Sequence, residues 1–164
     1  MTSTGEADRK VPVDGRQSAR AAEIARGVAR LLALHGFACV CELPLANGRR
    51  ADVMAIADSG EVWIVEIKSC LEDFRVDQKW PEYREFCDRL LFAVAPDFPA
   101  GVLPADTGLI VADRYGGEIV RAAPEHRLAG ARRKAVTLRF ARIAALRLSA
   151  LYDPEAGLEL QLRE

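Results

Sequence analysis

"ADVMAIADSGEVWIVEIKS", residues 51–69, is the stretch whose reading decides the fold. Ala51 to Ala57 and Glu61 to Lys68 read as strands, and Asp58-Ser59-Gly60 between them is a turn signal, so the stretch reads as a β-hairpin. The second strand raises a chemical question. Val62 to Ile67 is apolar enough for burial, yet it carries Glu66 and runs on to Lys68. An ionised carboxylate among Trp63, Ile64, Val65 and Ile67 is costly to bury unless something pairs with it. Side chains alternate along a strand, so Glu66 and Lys68 share a face. The loop length then decides where Asp52 points. A three-residue loop pairs Ala57 with Glu61 and sets Asp52 opposite Glu66, whereas a two-residue Ser59-Gly60 loop slips the register and turns Asp52 to the other face. A three-residue loop with glycine last is a recognised hairpin type, and the reading favours it.

Two facing carboxylates about 4 Å apart repel by about 4 kcal/mol at an effective dielectric near 20, so a cation must offset them. Lys68 supplies part of that charge, and a divalent metal supplies more. Two carboxylates with open water positions suit Mg²⁺ that also holds a substrate phosphate. Asp52, Glu66 and Lys68 are thus residue types sufficient for phosphodiester hydrolysis, with Lys68 orienting water and stabilising charge on phosphorus. The plain alternative is a Glu66–Lys68 ion pair at a strand end with no chemistry attached.

Working outward, Ala21, Ile24, Val28, Leu31 and His35 recur at helical spacing and predict a helix over 17–35, stopped by Gly36. Phe37 to Leu43 alternates as a strand, followed by a turn over 44–49 containing Asn47-Gly48. Beyond the hairpin, LEDFRVDQK is polar, and Pro81 is well placed to open a helix reaching about Asp88. Leu90 to Ala95 is short and wholly apolar, as expected of a strand covered on both faces in a parallel arrangement. Pro96, Pro99 and Pro104 mark a loop. Gly108 to Asp113 and Glu118 to Arg121 form a strand pair, and a helix is expected from about Lys134 to Leu151. The order implies an α/β fold, a central mixed β-sheet flanked by helices on both faces. The expected organisation is a tail over 1–16, one domain over 17–152 and a second tail over 153–164.

The 164 residues are 50% hydrophobic and 29% charged, which suits one globular domain rather than a disordered chain. No stretch is long and apolar enough for a membrane span, and MTSTGEADRK does not read as a signal peptide, so a cytoplasmic protein without a membrane partner is expected. Cys39, Cys41, Cys70 and Cys87 match no zinc or iron–sulfur spacing. Net charge is −1, but it is unevenly spread. Asp52 to Asp106 holds twelve acids and five bases, while His126 to Ala150 holds seven bases and no acid. An acidic centre beside a basic arm suits a metal site served by a phosphate-gripping surface. A solvated helix face explains such a run of charge equally well.

Four segments carry a family resemblance: GRRADV (48–53), VEIKS (65–69), DFRVDQKWPEY (73–83) and CDRLLFAV (87–94). They closely resemble the MmcB-like DNA repair proteins, a bacterial family assigned to the PD-(D/E)XK nuclease superfamily, over roughly residues 17–122. The resemblance implies a restriction-endonuclease-like fold and Mg²⁺- or Mn²⁺-dependent hydrolysis of DNA in repair, as an endonuclease. DNA and other repair proteins are the implied partners. It identifies Asp52, Glu66 and Lys68 as the catalytic set, with Asp52, Glu66 and the Ile67 main-chain carbonyl on the metal and Glu42 as a candidate further ligand. Ala51 stands where the superfamily pattern has proline, a position that varies widely there. Arg49, Arg50, Ser69, Lys79, Trp80 and Tyr83 are expected along the DNA, Lys79 on a phosphate and Trp80 or Tyr83 stacking on a base or packing beneath the site. Glu23 is a weaker carboxylate candidate. The competing reading is a DNA-binding or adaptor module that keeps the fold with little catalysis.

Overall fold

The structure is a computed structural model that describes residues 18–155. The expected tail over 1–16, and the second tail from 156 onward, lie outside the described residues. Helix α1 (Ala19–Leu34) forms because Ile24, Val28, Leu31 and Leu32 recur on one face, all buried. Ser18 caps it by accepting a hydrogen bond from the Ala21 N–H, and Gly36, at φ +81°, provides the left-handed turn that ends it. Burying those four side chains contributes about 6–12 kcal/mol.

The strands β1 (Phe37–Pro44), β2 (Arg50–Ala57), β3 (Val62–Lys68), β4 (Arg89–Val94), β5 (Gly108–Ala112) and β6 (Gly117–Arg121) form one six-stranded sheet in chain order. β1, β2 and β3 are an antiparallel meander, β4 is parallel to both β3 and β5, and β6 returns antiparallel. The sheet is thus mixed, and the wholly apolar β4 runs parallel within it, as its sequence predicts. Short helix α2 (Leu71–Val76) and a 3₁₀ turn (Trp80–Phe86) form the β3–β4 crossover. The helix expected to open at Pro81 is therefore a 3₁₀ turn.

α1 covers one face, where its apolar stripe meets Val53, Ala55, Val65, Ile67, Leu91, Ala93 and Ile110. The other face packs Leu43, Met54, Ile64 and Leu90 under Phe86 and Val136. Val136 belongs to α3 (Gly130–Tyr152), which starts four residues before the expected Lys134. Phe140, Ile143 and Ala144 of α3 pack against the same cluster, and polar contacts add to the attachment. Arg133 grips the buried Asp88 with two hydrogen bonds of 2.7 and 2.8 Å, Arg139 donates to the Pro44 carbonyl, and Arg147 donates to the Cys41 and Glu42 carbonyls. Asp88 also accepts from the Val62 and Leu128 N–H groups. Burial alone would raise its pKa; Arg133 and those N–H groups outweigh burial and hold it below the usual carboxylate range. No described helix is long and apolar enough to cross a membrane.

Candidate functional site

Gly60, at φ +81°, closes the β2–β3 turn, with Gly60 N–H donating to Ala57 O and Ala57 N–H to Glu61 O. This is the three-residue loop, and the register Ile56↔Val62, Ala55↔Trp63, Met54↔Ile64 and Val53↔Val65 follows from it. Continued by one position, it sets Asp52 opposite Glu66. There the ladder changes character. Side chains take over from main chain: Glu66 Oε1 accepts from Asp52 N–H at 3.2 Å, and Asp52 Oδ2 accepts from Ile67 N–H at 2.8 Å.

At the same level the pairing of β1 with β2 skips a position, and the side chains of both strands change face. On β1, Phe37, Cys39 and Cys41 pack toward α1 whereas Leu43 packs on the opposite face; on β2, Val53 and Ala55 face α1 whereas Ala51 does not. The reversal falls between the pairs Cys41↔Val53 and Leu43↔Ala51, at Glu42 and Asp52. Glu42 sits at φ +50°, a left-handed conformation that a glutamate adopts only at a cost of about 1–3 kcal/mol. The sequence carries no glycine there to announce it.

Asp52 opens onto a pocket of about 220 Å³ lined also by Ser18, Ala21, Glu42, Arg50, Ile67, Ser69 and Asp73. Glu66 and Lys68 stand behind it, 3% and 6% exposed. Burial raises the Asp52 pKa, against the Ile67 N–H and the Lys68 and Arg50 charges that lower it. Burial likewise drives Glu66 well above the usual carboxylate range, and the Asp52 charge adds to it. Lys68 does not form an ion pair with either carboxylate. Its ammonium is on Asp77 Oδ2 at 2.5 Å. Among the described residues no hydrogen-bond donor reaches Asp52 Oδ1 or Glu66 Oε2.

The other expected residues fall into three groups. Arg50 and Ser69 line the pocket; Arg50 lies 3.4 Å from Glu42, and the Ser69 hydroxyl donates to Asp73. Glu42 thus reaches the pocket but is engaged with arginine. Arg49 is paired with Glu82 at 2.5 Å, and Lys79 is exposed beside the site. Trp80 and Tyr83 are packing residues. Trp80 stands edge-on to Phe92 at 5.6 Å, and Tyr83, 6% exposed, donates its hydroxyl to Arg50 O. Of the two expected fates, stacking on a base or packing beneath the site, buried Tyr83 takes the packing one. Glu23 pairs with Arg114 at 3.8 Å, outside this pocket. Asp77, within the DFRVDQKWPEY segment, takes the lysine's charge, a task that nothing in the spacing shows.

No group of three or more His, Cys, Asp or Glu side chains is assembled as a metal cage among the described residues. Two carboxylates held above their ordinary pKa, each with an oxygen that meets no donor among those residues, nevertheless fit a cation that completes its shell with water and phosphate oxygen, as Mg²⁺ does.

Fold and pocket together define an α/β protein with an acidic site at the parting of two strands. A family model described as "DNA repair protein MmcB-like" matches residues 8–155. The chain belongs to the MmcB-like family of DNA repair proteins. It is also similar to the solved structure of SPO1766, a protein of unknown function from Silicibacter pomeroyi. The two are 52% identical with a TM-score of 0.81, and the match covers 83% of this chain and 93% of that one. No curated protein matches.

Proposed function

We propose that this protein is a Mg²⁺- or Mn²⁺-dependent deoxyribonuclease of the PD-(D/E)XK type that hydrolyses DNA phosphodiester bonds during repair. One observation carries the reading: where β2 and β3 part, the Glu66 carboxylate accepts from Asp52 N–H and the Asp52 carboxylate from Ile67 N–H, beside an open pocket and with Lys68 two residues on from Glu66. In this reading Asp52 and Glu66 hold the metal. The bonds from Asp52 N–H and Ile67 N–H fix the two carboxylates, and the Ile67 carbonyl is the expected further ligand. A bound divalent ion would polarise a phosphoryl oxygen and lower the pKa of a water. Lys68 orients the attacking water and offsets charge gathering on phosphorus. Arg50 and Ser69, in the same pocket, are placed to grip the flanking phosphate. Lys79 and the outward bases of α3 extend that grip, and the DNA is the partner they serve.

The rival reading is a DNA-binding or adaptor module. It is supported by the lack of a third carboxylate ligand among the described residues and by the engagement of Glu42 with Arg50. One assay separates the two. Single-stranded, duplex, nicked and branched DNA are incubated with the purified full chain in Mg²⁺ or Mn²⁺, with Lys68→Ala in parallel. The nuclease reading expects cleavage that falls about a hundredfold or more in Lys68→Ala. Cleavage indifferent to that change refutes the assignment, and binding without cleavage under every metal condition establishes the adaptor.

A further inference from the structure

We infer that Asp77 is a positioning residue: it holds the Lys68 ammonium out of the Asp52–Glu66 carboxylate pair and so keeps that pair open to a divalent cation. The inference rests on the nuclease reading and assigns a task to a residue which that reading leaves idle.

Lys68 and Glu66 share one face of β3, two positions apart, so their backbones are about 7 Å apart. A four-carbon lysine stem covers that span easily. In a site this dry the default outcome is a Lys68–Glu66 ion pair, because a buried charge without a partner is strongly disfavoured. The structure shows another arrangement. Lys68 Nζ is 2.5 Å from Asp77 Oδ2, with the two side chains 7% and 20% exposed. Its ammonium also lies 5.9 Å from the Phe92 ring centroid, and Phe92 is flanked edge-on by Phe74 and Trp80.

Asp77 is itself fixed. It terminates α2 with its N–H on Phe74 O at 3.2 Å, and its Oδ1 accepts from Lys79 N–H at 3.2 Å. The carboxylate that receives Lys68 is therefore held by the crossover that also carries Trp80 and Tyr83 beside the site. Without it, Lys68 would swing toward Glu66. A cation would then have to displace an ammonium already in place.

The test is Mn²⁺ binding to the full chain by isothermal titration calorimetry, with no DNA present. Wild type is compared with Asp77→Asn, Asp77→Glu, Lys68→Gln and the double variant Asp77→Asn/Lys68→Gln, each with its urea midpoint measured to establish that it folds. Asp77→Asn is expected to weaken Mn²⁺ binding roughly ten- to a hundredfold, the cost of breaking a charge-assisted pair. Asp77→Glu should recover most of that loss. Lys68→Gln should strengthen binding far more in the Asp77→Asn background than in wild type. If Asp77 acted only through its negative charge, Lys68→Gln would change affinity by the same factor in both backgrounds, and that result overturns the inference. Unchanged affinity in Asp77→Asn overturns it as well, while leaving the nuclease reading intact. A wild type that binds no Mn²⁺ overturns both together.

Discussion

Replacing Glu66 by glutamine should stabilise the metal-free protein and abolish its response to Mn²⁺. The amide oxygen of the new side chain remains an acceptor for the Asp52 N–H, so the bond across the strand ends survives in weaker form. What disappears is a buried charge facing another of the same sign. That repulsion is about 4 kcal/mol for charges ~4 Å apart and about 2 kcal/mol at ~8 Å, at an effective dielectric near 20. Lost attraction to Lys68 and the weaker hydrogen bond cancel part of it, leaving a net gain of about 1–2 kcal/mol, or roughly 2–8 °C in Tm. The gain must depend on pH. The folded-state pKa of Glu66 lies above its unfolded value of about 4.3, so this carboxyl's contribution is fully present below that value and is lost as pH rises through the folded pKa. The advantage of Glu66→Gln should therefore vanish at about pH 4 and be largest once the wild-type carboxyl ionises. Adding Mn²⁺ at about a hundred times its Kd should stabilise wild type by about 2.7 kcal/mol and the variant by almost nothing. Thermal melts between about pH 4 and 8, with Mn²⁺ or a chelator, measure all of this. A variant less stable than wild type in chelator at neutral pH, or one that gains equally from Mn²⁺, refutes the argument.

Three further outcomes follow from the same geometry. Arg133→Met leaves Asp88 buried without its cation and should cost about 3–5 kcal/mol at neutral pH by urea denaturation. Because the Asp88 pKa is lowered by folding, its contribution exists above the unfolded value of about 3.9 and fades as pH falls, so the two proteins should converge in acid; a loss under about 1 kcal/mol at neutral pH contradicts this. A Cβ at Gly27 would lie 1.8 Å from the Asp113 carbonyl oxygen and 2.6 Å from that of Gly116, so Gly27→Ala should lift α1 from the β5–β6 turn and cost about 2 kcal/mol or more, read as a lower urea midpoint. Lys134 and Arg142 are exposed on α3, and reversing both charges should lower the salt slope of DNA binding by about 1–2, whereas Arg147→Met should lower stability and leave that slope alone.

Where the chemistry depended on local pattern, it was legible. The loop Asp58-Ser59-Gly60 set the register, the register set Asp52 against Glu66, and the apolar run of β4 announced a parallel strand. Features that join distant segments were not legible. Asp88 and Arg133 are 45 positions apart, and nothing in either neighbourhood marks them as partners. The seven bases of the last segment read as one surface, yet Arg133, Arg139 and Arg147 commit their donors to Asp88 and to main-chain carbonyls. α2 escaped because its six residues include none that is buried, so no periodicity betrays it. The start of α3 escaped because Ala129 offers no capping side chain. Glu42 at positive φ runs against local preference, and it sits where the pairing of β1 with β2 skips a position, which no glycine in the sequence announces.

The arginines that fasten α3 have an effect outside the molecule. Among the described residues β1 is the outermost strand on its side of the sheet, and a border of unsatisfied carbonyls there would invite a strand from a neighbouring molecule to add on. Arg139 and Arg147 occupy the carbonyls of Cys41, Glu42 and Pro44, so that end of the border is covered by the protein's own helix. Shortening α3 before residue 139 would expose it, and the cost would first be seen as self-association in concentrated solution.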